Sequence, residues 1–334
     1  MTESDISVEL PTGSEALFGG AGPTFNISRD DFEATVLAGF ARWPRRIPCR
    51  FFYDAVGSDL FEQITQLEEY YPTRVETALL ETYGAEIAHS IELPRVLVEF
   101  GSGSSRKTSL LIGALGDVPA YIPIDIAAES LQAAASWLSA RHANLSIVPL
   151  IADFTKTRAL PEIAERHAKL GYFSGSTIGN LSHDEARAFL AGAARLLGKD
   201  SAFLIGVDLK KDVSILIPAY NDKAGVTAAF NLNLLARINR ELDGDFDLSR
   251  FAHEAVYNAR AGRIEIYIVS LGDQMVRVKG HGFTFAKGER IHTENSHKYT
   301  VAEFQALARS ASWRPARVWT DPANLFSLHL LRSA

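Results

Sequence analysis

The chain has 334 residues, 47% of them hydrophobic and 22% charged, which is an ordinary globular composition and length for one large domain or two modest ones. A net charge of −6 and the lack of a long basic run argue against nucleic-acid binding; the densest basic stretch, Ala41 to Arg50, reads as a solvated or structural segment. The single cysteine, Cys49, excludes an internal disulfide and any cysteine-based metal site, and fits a reducing compartment.

Residues 1–26 are polar, acidic and glycine-bearing, without the basic and apolar regions of a signal peptide, and read as a flexible lead-in. No apolar run approaches the roughly 20 residues that span a bilayer, so no membrane contact and a cytoplasmic location are expected. From Ser28 to about His89 the pattern is helical. "SRDDFEATVLAGF" opens on Ser28 as a candidate N-cap with acids in the first turn, and Pro72 interrupts the helices that follow.

The middle of the chain alternates. Strands are predicted at Arg95 to Phe100, Ala120 to Asp125, Leu145 to Phe154, within "GYFSGST", and at Ser201 to Leu209. Helices are predicted at "SRKTSLLIGAL", "AAESLQAAASWLSARH", "RALPEIAERHA" and "SHDEARAFLAGAARLLG", the last with Ser182 and Glu185 spaced as a capping box. This order implies an α/β fold with a parallel, doubly wound sheet. After Lys210 the texture changes: a mainly helical stretch precedes "RIEIYIVS", "MVRVKG" and "FTFAKGERIHTENSHKYT", which read as antiparallel strands. A helix near "VAEFQALARS" and a strand pair close the chain. The expected layout is a mixed α+β substrate domain of residues 27–73 and 210–298, and a Rossmann-like core of residues 74–209 and 299–334.

A ligand should sit at the C-terminal ends of the core strands. There "VLVEFGSGSSRKTSLL" gives strand, glycine turn and helix. A P-loop needs Gly directly before the Lys-Thr pair, and a dinucleotide turn needs a small residue at the same place; Arg106 fails both. What survives is a two-glycine turn that brings backbone close to a ligand. Asp125 ends the second strand, where it can accept from ribose hydroxyls. Asp153 and Phe154 end the third, where a carboxylate and a ring suit an adenine. Together they favour an adenosyl ligand without pyrophosphate, such as S-adenosylmethionine, with its amino-acid end near Gly101 and Lys107. Asn180, in "GSTIGN", falls where a substrate would meet that ligand, although an Asn beside Gly179 also suits a plain turn.

The strings "FFYDAVGSDLFEQIT", "EYYPTR", "EFGSGSSRKT", "FSGSTIGNLS", "AYNDKAGVTAAFN" and "IHTENSHKY" together resemble the histidine-specific Nα-methyltransferases of ergothioneine biosynthesis, from about Pro44 to the C-terminus. The resemblance implies three successive methyl transfers from S-adenosylmethionine to the α-amino group of L-histidine, giving hercynine. It implies a cofactor site of Tyr53, Gly101, Lys107, Asp125, Asp153 and Phe154. It implies a histidine site of Tyr70, Asn180, Tyr220, Glu294 and Ser296, with Asn180 and Tyr220 on the amino-acid backbone and Glu294 and Ser296 on the imidazole. Tyr53 is the candidate for amine positioning or proton relay.

Glu294 and Ser296 are two apart, so on a strand they share a face. A carboxylate accepts from the N–H of a neutral imidazole and a hydroxyl donates to its bare nitrogen. His292 and His297 flank Glu294, but their spacings do not put all three on one face, and no metal is expected. A monomer is expected. The alternatives are an N-methyltransferase acting on another aromatic amino acid or amine, a nucleotide-binding oxidoreductase, and a non-catalytic adenosyl-ligand sensor.

Overall fold

The computed structural model describes residues 29–91 and 95–334; the candidate cap Ser28 and the lead-in lie outside them. First come α1 (Arg29–Ala41), β1 (Arg45–Arg46), α2 (Ala55–Gln66) and α3 (Tyr71–Ile91). Then β2 (Val96–Phe100), α4 (Arg106–Leu115), β3 (Ala120–Asp125), α5 (Ala128–Ser139), β4 (Ser146–Ile147), β5 (Leu150–Ile151), β6 (Lys169–Phe173), α6 (His183–Leu197) and β7 (Ala202–Asp208) follow. Next are α7 (Val213–Leu216), α8 (Val226–Glu241), β8 (Phe251–Asn258), β9 (Arg263–Ser270), β10 (Gln274–Val278), β11 (His281–Phe285) and β12 (Arg290–His297). The chain closes with α9 (Val301–Arg309), β13 (Trp313–Thr320) and β14 (Phe326–Ser333).

The large sheet runs β13-β14-β7-β6-β2-β3-β4, with β5 also paired to β3. Strands β7, β6, β2, β3, β4 and β5 are parallel, and the β13–β14 hairpin adds antiparallel to β7. Strand β2 is apolar because it is covered on both faces. Val96, Val98 and Phe100 pack with α6 and α9, while Leu97 packs with α3, α4 and α5. From β2 the order runs to β3 and β4 on one side and to β6 and β7 on the other. The strand order therefore reverses at β2 and β6, which opens a crevice at their C-terminal ends. The capping box at Ser182 and Glu185 is formed and starts α6; such a cap contributes about 1 kcal/mol.

A second sheet, β1-β12-β9-β8, with the β10–β11 ribbon, belongs to a separate apolar cluster that also takes residues from α1, α2, the segment Cys49–Phe52 and α8. Segments far apart in sequence, up to Tyr71 and from Leu216 on, thus share one core.

Two predicted elements differ. "RALPEIAERHA" forms only a 3-10 turn at Glu162–Ala164, because Pro161 is extended (ψ 149) and its ring disfavours helical backbone at Leu160. Leu145 to Phe154 is not one strand but β4 and β5, broken at Val148 and Pro149, where proline lacks the N–H a ladder needs. Strand β8, "FAHEAVYN", is not among the predicted elements; every residue after Phe251 is only half-buried, so its alternation is faint. Pro72 sits in the first turn of α3, where its missing N–H has no intrahelical partner to lose.

Candidate active site

The loop after β2 enters the crevice through two left-handed glycines, Gly101 (φ 71) and Gly103 (φ 51). A Cβ on Gly101 would stand 3.4 Å from the Phe154 ring, so glycine keeps the space between loop and ring open. Asp125 holds this loop: its Oδ2 accepts from Gly103 N at 3.1 Å and its Oδ1 from Ala127 N at 3.0 Å. Burial raises its pKa against those backbone hydrogen bonds, which lower it. Asp153 accepts from Thr155 N (2.9 Å) and Thr155 Oγ1 (2.5 Å), an Asx turn that fixes the carboxylate beside Phe154. Phe154 leans edge-on against Phe173 and Phe189. Asp125, Asp153 and Phe154 thus line one crevice with Gly101.

Lys107, in the first turn of α4, is paired with Glu76 of α3. Glu76 is fully buried and also accepts from Tyr172 Oη (3.1 Å) and Gly175 N (2.8 Å), so it ties the glycine-loop helix to the loop after β6. Gly206 is glycine because a Cβ there would meet Glu76 Oε1 at 2.6 Å. Arg106 points outward to Glu62 of α2 at 3.3 Å. The crevice has the features an S-adenosylmethionine group needs: a Cβ-free turn, acids at two strand ends, a ring and a nearby ammonium.

A recess lies beside it, lined by Phe52, Tyr53, Phe61, Tyr70, Phe230 and Glu294 among others, with Tyr220, Thr227 and Asn231 completing its walls. The string "FYDAVGSDLF" builds one wall. Asp54 caps α2 through Gly57 N (2.7 Å) and receives Asn233 Nδ2 (2.8 Å) and Arg240 (2.5 Å) from α8. A Cβ on Gly57 would collide with Phe52 O. Tyr53 follows this aromatic turn and packs edge-on against Phe61 and Phe230. Burial, with Glu294 next, raises its pKa well above the usual value. Its hydroxyl keeps its proton. Burial likewise pushes the Cys49 thiol up to about 12, which removes it as a nucleophile.

A bulge in β12 between His292 and Glu294 turns Thr293 inward, where it donates to Asn231 Oδ1 at 2.9 Å. His292 instead bonds Asn295 on the other face (2.8 Å), away from Glu294. Past the bulge the pairing with β9 is regular: Glu294 lines the recess, and Ser296, two residues on, backs onto its Tyr220 wall. Burial raises the Glu294 carboxyl to about 7, with Lys298 pulling the other way. Ser296 Oγ meets Tyr220 Oη at 2.9 Å. Tyr70 stacks edge-on near Tyr220, at 6.2 Å between centroids. Asn180, with its amide nitrogen toward β12, donates to Asn295 O (3.2 Å) and Glu294 Oε1 (3.3 Å). Its loop can come this close because residue 179 is glycine: a Cβ there would lie 2.7 Å from His297 O.

Behind this wall sits a buried charge cluster absent from the predicted site. Lys298 donates to Asp208 Oδ2 (2.5 Å), Tyr220 Oη (2.7 Å) and Ser296 Oγ (2.8 Å). Asp208 also takes Lys211 Nζ (2.5 Å) and Tyr71 Oη (2.7 Å). The signal was available: Lys298 is two after Ser296, hence on its face. Tyr71, in "EYYPTR", reads from sequence as a core wedge. His253 was missed for lack of any motif; it bonds Tyr220 O (2.8 Å) and Asn231 Nδ2 (3.0 Å), joining the turn at Pro218–Tyr220 to α8, and burial lowers its pKa.

The structure therefore gathers Gly101, Asp125, Asp153 and Phe154 in one crevice, and Tyr53, Tyr70, Tyr220 and Glu294 in one recess, with Asn180 and Ser296 bonded to its wall and Lys107 drawn to Glu76. Among the described residues no helix is long and apolar enough to cross a membrane. The family model for histidine-specific, SAM-dependent methyltransferases matches residues 32–333. The chain is 42% identical to histidine N-alpha-methyltransferase of Mycolicibacterium smegmatis, covering 88% of this chain and 92% of that protein. It is 40% identical to the protein of the same name from Mycobacterium tuberculosis, with the same coverage. It is 33% identical, over 86% of its length, to a third of ergothioneine biosynthesis protein 1 of Neurospora crassa. With nearly the whole described chain inside that family model, the oxidoreductase alternative falls, and the chain belongs to the histidine-specific, S-adenosylmethionine-dependent methyltransferase family.

Proposed function

We propose that this protein transfers methyl groups from S-adenosylmethionine to the α-amino nitrogen of L-histidine, three times in succession, giving the trimethyl betaine hercynine. The observation that carries the reading is a carboxylate, Glu294, inside an aromatic recess, with the Ser296 hydroxyl two residues on along β12 and joined to the recess wall through Tyr220 at 2.9 Å. A neutral imidazole needs one acceptor and one donor, and Glu294 and Ser296 offer them.

In this reading Gly101, Asp125, Asp153 and Phe154 hold the cofactor, with Lys107 and Tyr53 at its amino-acid end. When bound, the cofactor supplies an electrophilic methyl on a sulfonium. The chain's own part is to orient the amine and exclude water, which suits an already activated donor. Asn180 and Tyr220 hold the amino-acid backbone, and Tyr70 walls the pocket. Tyr53, held protonated by burial, accepts from or relays a proton of the amine but does not act as phenolate. Residues 27–73 and 210–298 form the substrate domain, and residues 74–209 and 299–334 the cofactor domain. The protein acts as a cytoplasmic monomer without metal.

Incubation with S-adenosylmethionine and L-histidine, followed by mass spectrometry, should show products with one, two and three added methyl groups. Trimethylation of another amino acid with histidine untouched would sink the assignment. The aromatic lining of Phe52, Phe61, Tyr70 and Phe230 favours a second reading, in which another aromatic amino acid is the acceptor. Glu294→Ala should then leave turnover nearly unchanged.

A further inference from the structure

Lys298, Tyr220 and Ser296 form a closed triangle. The Lys298 ammonium donates to Tyr220 Oη at 2.7 Å and Ser296 Oγ at 2.8 Å, and the two hydroxyls lie 2.9 Å apart. Its third N–H goes to Asp208 Oδ2 at 2.5 Å, and the Lys298 side chain is fully buried. An ammonium has three donors and no acceptor, so all three of its contacts run outward from it. Each hydroxyl has one proton. One of the two must lie along the Tyr220–Ser296 edge, and the other is left for a ligand.

We propose that Lys298 is a positioning and specificity-determining residue: held on Asp208, it fills acceptor capacity on both Tyr220 and Ser296, so this wall faces the pocket as a hydrogen-bond donor. Opposite in character, Glu294 presents an acceptor on the same strand face. With Tyr220 donating to Ser296, the Ser296 proton points to the ligand. The pocket then selects a ring with one N–H and one bare nitrogen in its neutral form. A ring with only an N–H leaves the Ser296 donor unmet, and an imidazolium presents a donor to a donor. Without Lys298, each hydroxyl is free to turn and accept, and the distinction weakens. Asp208 acts through Lys298, and Lys211 and Tyr71 hold Asp208 from behind. That backing leaves Asp208 partnered when Lys298 is replaced, so the fold has no lone buried carboxylate.

This inference rests on histidine as the acceptor. The test is calorimetric titration, with S-adenosylhomocysteine present, of wild type, Lys298→Met, Ser296→Ala and the double variant. The probes are L-histidine and β-(2-pyrrolyl)alanine, whose ring keeps an N–H and lacks the bare nitrogen. Wild type should bind L-histidine about tenfold or more tightly than the pyrrole probe. Lys298→Met should bring the two within about threefold of each other, while S-adenosylhomocysteine affinity stays within about twofold. The double variant should bind L-histidine no more than about threefold worse than the weaker single, because both remove one donor. Equal binding of the two probes by wild type would overturn the proposal, and needs no variant. So would a Lys298→Met protein that keeps the wild-type ratio, or one that loses cofactor and both probes alike. Should Lys298→Met fail to fold, Lys298→Gln serves with an amide N–H for Asp208. Wild type that binds no L-histidine overturns the acceptor assignment itself, and this proposal with it.

Discussion

The crevice at the strand ends and the aromatic recess beside it are built in opposite ways. The crevice is made of strand ends and turns whose parts are close in sequence: Gly101 and Gly103 follow β2, Asp125 ends β3, and Asp153 sits beside Phe154. Its polar groups are held by backbone N–H bonds two residues away, at Ala127 and Thr155, or from the neighbouring strand end, at Gly103. The recess is assembled from Tyr53, Tyr70, Tyr220 and Glu294, drawn from distant segments, and rests on buried charges at Asp208, Lys211 and Lys298. A local turn survives many changes elsewhere. A buried charge cluster does not survive the loss of its hub, because removing Asp208 leaves Lys211 and Lys298 without their carboxylate.

That contrast is open to attack, beginning where the effect is largest. Asp208→Ala leaves two lysines facing each other without their carboxylate, and should cost about 3–5 kcal/mol of stability in denaturant unfolding. A loss under about 1 kcal/mol would show that the cluster is not the support described. Next, Glu294→Ala should weaken L-histidine binding about 10- to 100-fold, while S-adenosylmethionine binding stays within about twofold, because a charge-assisted hydrogen bond is lost on one side only. Equal losses of both ligands would erase the distinction between the sites.

The pH response sharpens the same point. Burial holds the Glu294 carboxyl at about 7, and only its ionised form accepts from an imidazole N–H without competition. Histidine affinity should therefore rise as pH climbs through about 7, and Glu294→Gln should flatten that rise in titrations from mildly acid to mildly basic buffer. In the empty protein the sign reverses. A carboxyl whose folded pKa is raised from 4.5 stabilises the fold below that value and loses the contribution as pH climbs through about 7. Thermal melts of wild type against Glu294→Gln should diverge over that window.

Smaller effects test the seam and the scaffold. Gly179→Ala places a methyl 2.7 Å from the His297 carbonyl, so the Asn180 loop must retreat from β12. The cost should be about 1–3 kcal/mol, with histidine KM raised more than cofactor KM. Ser182→Ala removes the α6 capping box and should cost about 1 kcal/mol with kcat unchanged. A change in kcat there would mean that the α6 start reaches the chemistry.

Much of the crevice was legible because strand, turn and carboxylate lie within short windows and obey period and turn chemistry. The helix at "RALPEIAERHA" and the strand through Pro149 were misread because two prolines outweighed the apolar pattern around them. Glu294 and Ser296 share a face as their spacing requires, but the bulge at Thr293 that sends His292 to the other side is not written in any spacing. Tyr71 shows the limit most clearly. Its place before a proline suggests packing, and only the approach of Asp208, 137 residues away, turns its hydroxyl into a hydrogen-bond donor to a buried carboxylate.

By itself the sequence determined the alternating core, the glycine turn with its two acids, and the strings that carry the family. These depend on local backbone preference and on residue types at short range. Tertiary structure alone decided that Asp208, Lys211 and Lys298 share one buried cluster, that Lys107 is drawn to Glu76, and that the Ser296 hydroxyl accepts from Lys298. Such pairings arise when chain segments far apart bury charge together. The low dielectric inside then makes partner geometry, rather than sequence neighbourhood, set what each side chain offers a ligand.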